Sequence, residues 1–359
     1  MKLLVVAPAL GPLGSGVAGG VELTLGNLVA GLLQRGHAIT VLAAEGSQLP
    51  SDCAAASLWT CAGTPQSTAQ HQGREAPIAM PADGLLHRFW RRALSEGPAA
   101  GFDAVLNLGY DWLPLWLTPL APLPLFHLVS MGSVTAAMDG AIADLARWDQ
   151  RRLAFHSASQ AADFALPGPP LLLGNGFDLN AYSFCAEPDV LLGWVGRVAP
   201  EKGLEDAAAA AAQLGLPLAV WGVVEDAAYA AAVEAAVPAG TLQWRGFLPT
   251  AALQAQLGRC RALLNTPKWN EAYGNVLVEA MACGVPVVAY RRGGPSELVQ
   301  PGVNGLLVEP DDVASLAAAV DQVTTIDRRA CRAWVASHAS RAVLAERMEA
   351  WLLAGLADD

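Results

Sequence analysis

Short apolar runs alternate with longer amphipathic stretches along the whole chain, and this alternation predicts strands and helices in repeating βαβ order. The order is typical of an α/β fold with parallel sheets. In the first half, the predicted strands are Leu3–Ala7, Ile39–Ala43, Ala104–Leu108, Leu125–Val129, Arg152–His156 and Leu171–Leu173. In the second half, they are Leu191–Val195, Leu218–Trp221, Leu242–Trp244, Ala262–Asn265, Val287–Tyr290 and Gly305–Val308. A long irregular loop is expected over Gln48–Ala82, and a final helix over Arg341–Leu356.

Turn residues separate the two series of strands, at Pro167–Pro170 and again at Gly174–Gly176. Such clusters interrupt regular structure, so the boundary between two domains is expected here. A chain of 359 residues can supply two hydrophobic cores. We therefore predict an N-terminal domain over 1–170, a C-terminal domain over 171–340, and a helix in 341–359 that crosses back to the first domain.

The hydrophobic fraction of 53% suggests a membrane protein, but the chain has no unbroken apolar stretch long enough to span a bilayer. The best candidate, Leu113–Phe126, is interrupted by prolines. The apolar run at the N-terminus is too short for a signal peptide. Six cysteines show no metal-ligand spacing, which favours a reducing compartment, and we expect a cytoplasmic protein.

The formal net charge of −11, with no run of lysine and arginine, argues against nucleic acid or an anionic membrane as a partner. An anionic ligand would therefore need local cations. Lys202 and Lys268 both lie in predicted loops of the second half.

The segment from Asn270 to Ala289 is predicted to form a loop, a helix and a strand, with Glu271 before the helix and Glu279 inside it. Amides at the start of a helix bind anions. Phosphate oxygens would meet those amides, while the two carboxylates would accept hydrogen bonds from sugar or ribose hydroxyls. The pattern predicts a sugar-diphosphate site. The alternative is that Glu271 only complements the helix dipole and Glu279 is solvated.

Two cations, Arg197 and Lys202, follow a predicted strand and precede a helix. Ligands of open α/β sheets bind at such strand ends. Arg197 can hold a diphosphate bidentately, and Lys202 can add a point charge that offsets charge developing on a leaving group. The alternative is a surface ion pair with Glu201 or Glu205.

The glycine-rich loop after the first strand contains Gly14, Gly16 and Gly19, which satisfy the GxGxxG pattern of dinucleotide-binding proteins. That pattern normally begins directly after the strand, whereas six residues separate Ala7 from Gly14. An NAD-binding oxidoreductase is therefore kept only as a distant alternative.

Polar and aromatic side chains gather after two predicted strands of the first domain, where they would face an acceptor. They are Asn107, Tyr110, Asp111, Trp112, Trp116, His127, Ser130 and Met131. Aromatic and thioether groups suit a flat acceptor. Asp111 and His127 are the candidates for handling an acceptor proton. The alternative is that these residues belong to an ordinary core and its rim.

Four segments occur in one order along the chain: Gly19–Glu22, Asn175–Asp178, Gly196–Gly203, and Glu271 with Glu279. In this combination the chain resembles glycosyltransferase family four over nearly its whole length. The resemblance implies the GT-B fold, in which two Rossmann-like domains with parallel sheets face a cleft. It also implies sugar transfer with no metal and with retention of anomeric configuration, and the chain has no Asp-x-Asp pattern.

The resemblance also implies roles for individual residues. Arg197, Lys202 and Glu271 would be catalytic. The donor would contact Gly19, Gly20, Arg197, Lys202, Phe247, Leu248, Glu271, Ala272, Tyr273, Gly274, Asn275 and Glu279. Gly16 would join the acceptor residues named above. Front-face attack, in which the donor phosphate takes the acceptor proton, would need no separate base.

The glycine-rich opening and the segment His127–Ser133 are similar to those of cyanobacterial pterin glucosyltransferases. This similarity implies UDP-glucose as donor, a side-chain hydroxyl of tetrahydrobiopterin as acceptor, and no cofactor. Three alternatives remain: a lipid, polysaccharide or other small-molecule acceptor; a sugar-nucleotide epimerase; and a nucleotide-binding module without catalysis. No oligomeric state is predicted.

Overall fold

The computed structural model describes residues 1–15, 19–69 and 72–357. The chain forms two compact units. One comprises Met1–Gly176 and the segment from Arg341 onward, and the other comprises Phe177–Ser340. Within the described residues each unit contains one six-stranded parallel sheet with helices, which confirms the predicted α/β class.

The first unit is built on a parallel sheet. Its strands are β1 Lys2–Val6, β2 Ala38–Ala44, β3 Ser57–Cys61, β4 Ala104–Asn107, β5 Leu125–Val129 and β6 Leu153–Phe155. The spatial order is β3-β2-β1-β4-β5-β6. β4 and β5 are buried along their whole length because helices cover both faces of the sheet. The order reverses between β1 and β4, which makes their carboxyl ends the topological switch point of this sheet.

Helices of the first unit follow the strands as the periodicity predicts. They are α1 Gly20–Gln34, α2 Leu85–Ala100, α3 Trp112–Leu117, α4 Ala136–Asp149 and α5 Ala158–Ala161. Thr135 caps α4, because its side chain accepts the Met138 amide at 3.4 Å. Short loops join β4 to α3 and β5 to α4, so both helices begin close to the ends of these strands.

The segment Gln48–Ala82 is more regular than expected, because it contains the edge strand β3. β3 pairs with β2 in parallel from Thr40 opposite Ser57 to Ala44 opposite Cys61. Most of its side chains are exposed or half-buried. An edge strand with so little burial lacks the continuous apolar run that indicates a central strand, so the pattern missed it.

Leu171–Leu173 was predicted as a strand, and this prediction is wrong. The segment runs beside β6, but Leu172 makes only an isolated bridge with Phe155. The two prolines that precede it, Pro169 and Pro170, lack amide hydrogens and cannot extend a ladder.

The second unit repeats the same plan. Its strands are β7 Leu192–Val195, β8 Leu218–Trp221, β9 Leu242–Gly246, β10 Ala262–Asn265, β11 Val287–Tyr290 and β12 Gly305–Val308. The spatial order is β12-β11-β10-β7-β8-β9, so its switch point lies between β7 and β10. The helices are α6 Leu204–Leu214, α7 Ala227–Ala235, α8 Thr250–Leu257, α9 Asn275–Ala282, α10 Pro295–Leu298, α11 Val313–Val323 and α12 Arg328–His338.

The helix α13, Arg341–Ala357, belongs to the first unit although the second unit precedes it in the chain. It packs closely on α1: a Cβ added at Gly31 would lie 2.8 Å from the Cβ of Ala345. The ring of Trp351 meets that of Phe126 edge to face, with 5.2 Å between centroids. α13 therefore supplies part of the core of the first unit.

Candidate functional site

The switch point of the second sheet brings two loops to one edge. One loop follows β7 and carries Arg197 and Lys202, and the other follows β10 and carries Glu271. β7 and β10 are parallel neighbours, so both loops leave the sheet at the same side. The backbone also joins them, because the Lys268 amide donates to the Glu201 carbonyl at 2.9 Å. Open α/β sheets bind ligands at this position.

Lys202 and Glu271 form an ion pair at the centre of this edge. The Nζ of Lys202 lies 2.6 Å from Oε2 of Glu271, and each side chain is 19% exposed. The indole Nε1 of Trp269 donates to the same oxygen at 3.1 Å. The Lys202 ammonium also lies 4.6 Å from the centroid of the Trp269 ring, within cation–π distance.

This pairing keeps Glu271 ionised. Burial alone would raise the pKa of Glu271, but the charge and hydrogen bond of Lys202, helped by the Trp269 N–H, outweigh burial and lower that pKa below its ordinary value. Glu271 therefore presents acceptor oxygens only, which suits binding of hydroxyl groups.

Arg197 lies beside this pair but is itself held by carboxylates. Its Nη2 donates to Oε1 of Glu201 at 2.8 Å, and its Nη1 donates to Glu225. The ion pair with Glu201 weighed above is thus present, whereas Lys202 pairs with Glu271 instead of Glu201 or Glu205. The Arg197 side chain remains 34% exposed. A diphosphate would have to share or replace its carboxylate partners.

Lys268 serves the scaffold of this region. Its Nζ lies 2.8 Å from Oδ1 of Asp311 and also donates to Asp206. Tyr290 donates to the same Asp206 at 2.6 Å. These bonds tie the loop after β10 to α6 and β11.

The helix α9 begins beside Glu271, as the sequence predicts. Its N-cap is Gly274, at φ 102°, which offers no side-chain cap to the first amides. Ala272 and Tyr273 lie in the loop between Glu271 and this cap, and Asn275 is the first helical residue. Helix-start amides and a macrodipole without a capping side chain favour an anion here.

Glu279 lies one turn further along α9. Tyr182 donates its hydroxyl to Oε1 of Glu279 at 3.4 Å. Burial, which the Tyr182 hydrogen bond only partly offsets, raises the pKa of Glu279 to about 7. The two glutamates of the pattern therefore differ in charge at neutral pH: Glu271 is ionised, and Glu279 titrates.

The other predicted donor residues fall in two places. Phe247 is 67% exposed and Leu248 is half-buried, between β9 and α8 of the second unit. Gly19 and Gly20 lie in the first unit, where Gly19 is the N-cap of α1 at φ 54°. In that loop the Gly14 amide donates to Glu22 at 2.9 Å.

Two predicted acceptor residues, Asn107 and His127, lie in the core of the first unit. His127 is 1% exposed, and both of its ring nitrogens have partners: Asn107 Nδ2 at 3.2 Å and Thr118 Oγ1 at 2.7 Å. Burial and the Arg152 charge lower the pKa of His127 to about 3. His127 is therefore a buried core residue that is neutral at physiological pH.

The adjacent residues Tyr110, Asp111 and Trp112 line a cavity in the first unit. The Tyr110 hydroxyl donates to the Gly132 carbonyl at 2.9 Å. Burial raises the pKa of Asp111 to about 7. These three predicted acceptor residues follow the carboxyl end of β4 and line the same cavity.

The remaining predicted acceptor residues are Ser130, Met131 and Gly16. Ser130 and Met131 are half-buried after β5, where Gln160 Nε2 donates to the Met131 carbonyl at 2.9 Å. Gly16 lies outside the described residues.

Two glycines that the patterns did not single out support the Glu271 loop. A Cβ at Gly293 would lie 2.5 Å from the backbone nitrogen and oxygen of Glu271. The Gly294 amide donates to the Glu271 carbonyl at 2.7 Å. The sequence feature that could have indicated them is the pair of glycines before Pro295, shortly after β11, because paired glycines allow a close approach of two backbone segments.

Across residues 1–15, 19–69 and 72–357, no group of His, Cys, Asp and Glu side chains is arranged to hold a metal ion. None of the described helices is both long enough and apolar enough to cross a bilayer.

Comparison with known proteins finds a family match in the second unit. Residues 184–338 match the family described as Glycosyl transferases group 1. The matched segment contains Arg197, Lys202, Glu271 and Glu279, so the ion pair and the helix start described above lie inside it.

A curated relative shares part of the sequence. The 2-deoxystreptamine N-acetyl-D-glucosaminyltransferase of Streptomyces fradiae is 41% identical over 147 residues. The alignment covers 38% of this chain and 35% of the Streptomyces protein, so the similarity spans about a third of that relative.

Solved structures resemble the whole chain and not only the segment that matches the family. AviGT4, a glycosyltransferase involved in avilamycin A biosynthesis, superimposes with a TM-score of 0.73 at 20% identity, covering 100% of this chain and 99% of AviGT4. The Anabaena protein HepE in complex with UDP-glucose gives 0.70 at 18% identity, covering 99% of this chain and 100% of HepE. The two units therefore have the GT-B fold, as expected.

Proposed function

We propose that this protein transfers a sugar from a nucleotide-diphosphate donor to a small-molecule acceptor. The observation that carries the proposal is the Lys202–Glu271 ion pair at the β7/β10 switch point, next to the N-terminus of α9. It combines a cation for phosphate, a helix start for an anion, and an ionised carboxylate for sugar hydroxyls. The group 1 family match supports the same reaction class.

In the proposed reaction, Arg197 and Lys202 hold the diphosphate. An ammonium group has three N–H donors, so Lys202 can keep its bond to Glu271 and still donate to a phosphate oxygen. Glu271 and the loop amides from Ala272 to Asn275 hold the transferred sugar. Glu279 accepts from the ribose hydroxyls, and Phe247 and Leu248 lie against the nucleobase.

The chemical step breaks the bond between the anomeric carbon and the diphosphate oxygen. A new bond forms between that carbon and the acceptor oxygen, and the acceptor proton passes to the departing diphosphate. Arg197 and Lys202 stabilise the charge that develops on the leaving group. This front-face course retains anomeric configuration and needs neither a protein base nor a metal. It also fits the burial of His127, whose two ring nitrogens both have partners inside the first unit.

For the two substrates we propose UDP-glucose and tetrahydrobiopterin. The glucose donor is supported by the UDP-glucose complex of HepE, a protein of the same fold. The pterin acceptor is supported by the similarity of His127–Ser133 to pterin glucosyltransferases and by the cavity beside Tyr110, Asp111 and Trp112. An aminocyclitol is the second candidate acceptor, because the Streptomyces relative is named for 2-deoxystreptamine.

The test is UDP release from UDP-glucose in the presence of EDTA, with tetrahydrobiopterin, with 2-deoxystreptamine, and with no acceptor. Release that needs tetrahydrobiopterin is expected. Release only with 2-deoxystreptamine would keep sugar transfer and reject the pterin. No acceptor-dependent release with UDP-, GDP- or ADP-sugars would reject the transferase proposal. Loss of release on adding EDTA would reject the metal-independent course, and proton coupling at the anomeric carbon of the product reports retention.

A further inference from the structure

Trp269 contacts both partners of the Lys202–Glu271 ion pair with different parts of one ring system. Its indole Nε1 donates to Oε2 of Glu271 at 3.1 Å, and its ring centroid lies 4.6 Å from Nζ of Lys202. These two contacts and the 2.6 Å bond between Nζ and Oε2 close a triangle of three side chains. An indole side chain rotates about only two torsions, so the triangle restricts all three groups.

The ammonium of Lys202 would be poorly oriented without the indole. A lysine carries its charge on a flexible four-carbon stem, and a pair with one carboxylate does not fix the direction of its remaining N–H groups. In this structure, the ammonium lies between a carboxylate oxygen and a ring face. These two neighbours direct two of its three donors, so the third is available to a further acceptor.

The carboxylate of Glu271 is held by one of its two oxygens. Lys202 and Trp269 both donate to Oε2, and Oε1 takes part in neither bond. Two N–H donors match the acceptor capacity of a single carboxylate oxygen. A hydroxyl ligand of Glu271 would therefore be received by Oε1.

The backbone around Trp269 is fixed without help from the indole. Before it, the Lys268 amide donates to the Glu201 carbonyl at 2.9 Å, and after it the Gly294 amide donates to the Glu271 carbonyl at 2.7 Å. The indole itself is only half-buried. A change of this side chain should therefore leave the loop in place and act on the ion pair.

Building on the proposed function, we propose that Trp269 is a positioning residue for the sugar donor. Its ring face directs the Lys202 ammonium toward the diphosphate, and its N–H orients Glu271 so that Oε1 accepts from a hydroxyl of the transferred sugar. Trp269 acts through these two side chains and needs no substrate contact of its own. The two parts of the indole thus have separable roles, one toward the diphosphate and one toward the sugar.

Two substitutions separate these roles. Trp269→Phe keeps a ring face near Lys202 and removes the N–H, so kcat/KM for UDP-glucose should fall about tenfold while the affinity for UDP stays within about twofold. Trp269→Leu removes the ring face as well, so the affinity for UDP should also fall, by about tenfold. Wild-type kcat/KM in Trp269→Phe would overturn the role of the N–H.

Trp244→Phe is the matched control. Trp244 is a half-buried tryptophan of the edge strand β9, and its indole N–H also donates to a carboxylate, that of Glu234. Its loss should leave kcat/KM and UDP affinity within about twofold of wild type, because this bond lies outside the ion pair. Equal losses in Trp244→Phe and Trp269→Phe would overturn the positioning role, since any indole–carboxylate bond would then matter as much.

A double-mutant cycle identifies the residue through which the N–H acts. In a Glu271→Ala background, Trp269→Phe should change kcat/KM by less than about twofold, because the carboxylate that the N–H orients is absent. A tenfold loss in both backgrounds would show that Trp269 acts by packing and not through Glu271.

Calorimetry separates this inference from the proposed function, because UDP binding needs no turnover. Wild-type UDP affinity in Trp269→Leu would overturn the positioning of Lys202, even if sugar transfer were demonstrated. UDP binding that weakens in Trp269→Leu, with no UDP release by the wild type, would support that positioning and reject the transferase proposal.

Discussion

Lys202 Nζ and Glu271 Oε2 lie 2.6 Å apart, although 69 positions separate them in the chain. Their bond joins the loop after β7 to the loop before α9, across the switch point of the second sheet. It holds one cation and one carboxylate side by side at this edge of the sheet. Lys202 therefore lowers the pKa of Glu271, each partner fixes the position of the other, and this coupling underlies two of the predictions below.

Replacing Glu271 with glutamine should abolish most activity and leave the fold intact. The amide keeps the side-chain shape but loses the charge that holds Lys202, so we expect kcat/KM to fall by about 100-fold, which is about 2.7 kcal/mol of transition-state stabilisation. Thermal unfolding should fall only modestly, because the variant loses the stabilising ion pair with Lys202 but no contact of the hydrophobic core. Glu309→Gln, in an exposed ion pair with Arg291, is the control. Activity close to wild type would remove Glu271 from the site.

Removing the cation by Lys202→Met should reverse the pH dependence contributed by Glu271. In the wild type, the lowered pKa of Glu271 gives stability that is present above its unfolded value of 4.5 and is lost as pH falls through the folded pKa. Without Lys202, burial dominates and the pKa rises, so that contribution is instead lost as pH rises. Unfolding temperatures of both proteins from pH 4 to 8 measure the change, and parallel profiles would contradict it.

Glu279→Gln should make the protein more stable at alkaline pH. The pKa of Glu279 is raised to about 7, so its contribution is fully present below the unfolded value of 4.5 and is lost as pH rises through about 7. The glutamine variant lacks this loss and should gain on the order of 1–3 kcal/mol at pH 8 relative to wild type. Urea unfolding at pH 5 and pH 8 provides the comparison. An equal difference between the proteins at both pH values would show that Glu279 does not titrate as described.

Gly203→Ala should be far more damaging than Gly215→Ala. Both glycines end a short helical segment with nearly the same backbone, φ 65° and φ 63°. A Cβ at Gly215 would meet no atom within 4 Å, whereas a Cβ at Gly203 would overlap the Thr266 carbonyl. The left-handed backbone alone costs about 1–2 kcal/mol, so Gly215→Ala measures that term.

In Gly203→Ala the overlap adds to this cost and displaces Lys202, the preceding residue. We expect a clearly lower unfolding temperature than for Gly215→Ala, together with loss of UDP binding by calorimetry. Equal destabilisation of the two variants would mean that the loops after β7 and β10 are not in contact.

The sequence predicted most of the sheet architecture because central parallel strands are continuous apolar runs. The bounds of β5, β8, β10, β11 and β12 agree with the structure residue for residue. The edge strand β3 was not predicted, because half-exposed strands lack such a run. The failure at Leu171–Leu173 has the opposite cause: an apolar run was present, but the prolines before it prevent a ladder.

The candidate site was predictable only in its charged residues. Arg197, Lys202 and Glu271 each follow a strand, so topology alone brings them to one edge. The partners of these residues could not be predicted from the sequence. Trp269 donates to Glu271 from only two positions away, and Gly293, which follows β11, packs against the Glu271 backbone. His127 is a different case. Its place near the end of a strand is consistent with a functional residue, but its side chain is buried in the core. Spacing along the chain does not tell whether a strand is buried on one face or on both faces.

The return of α13 to the first unit has a consequence for biosynthesis. The apolar face that α1 presents to Ala345 and its neighbours stays open to water until residues 341–357 have been made. The second unit, by contrast, has all its strands and helices once Ser340 is reached. During vectorial synthesis the unit that is encoded second can therefore complete its core first, and the first unit waits in an unfinished state for its last helix.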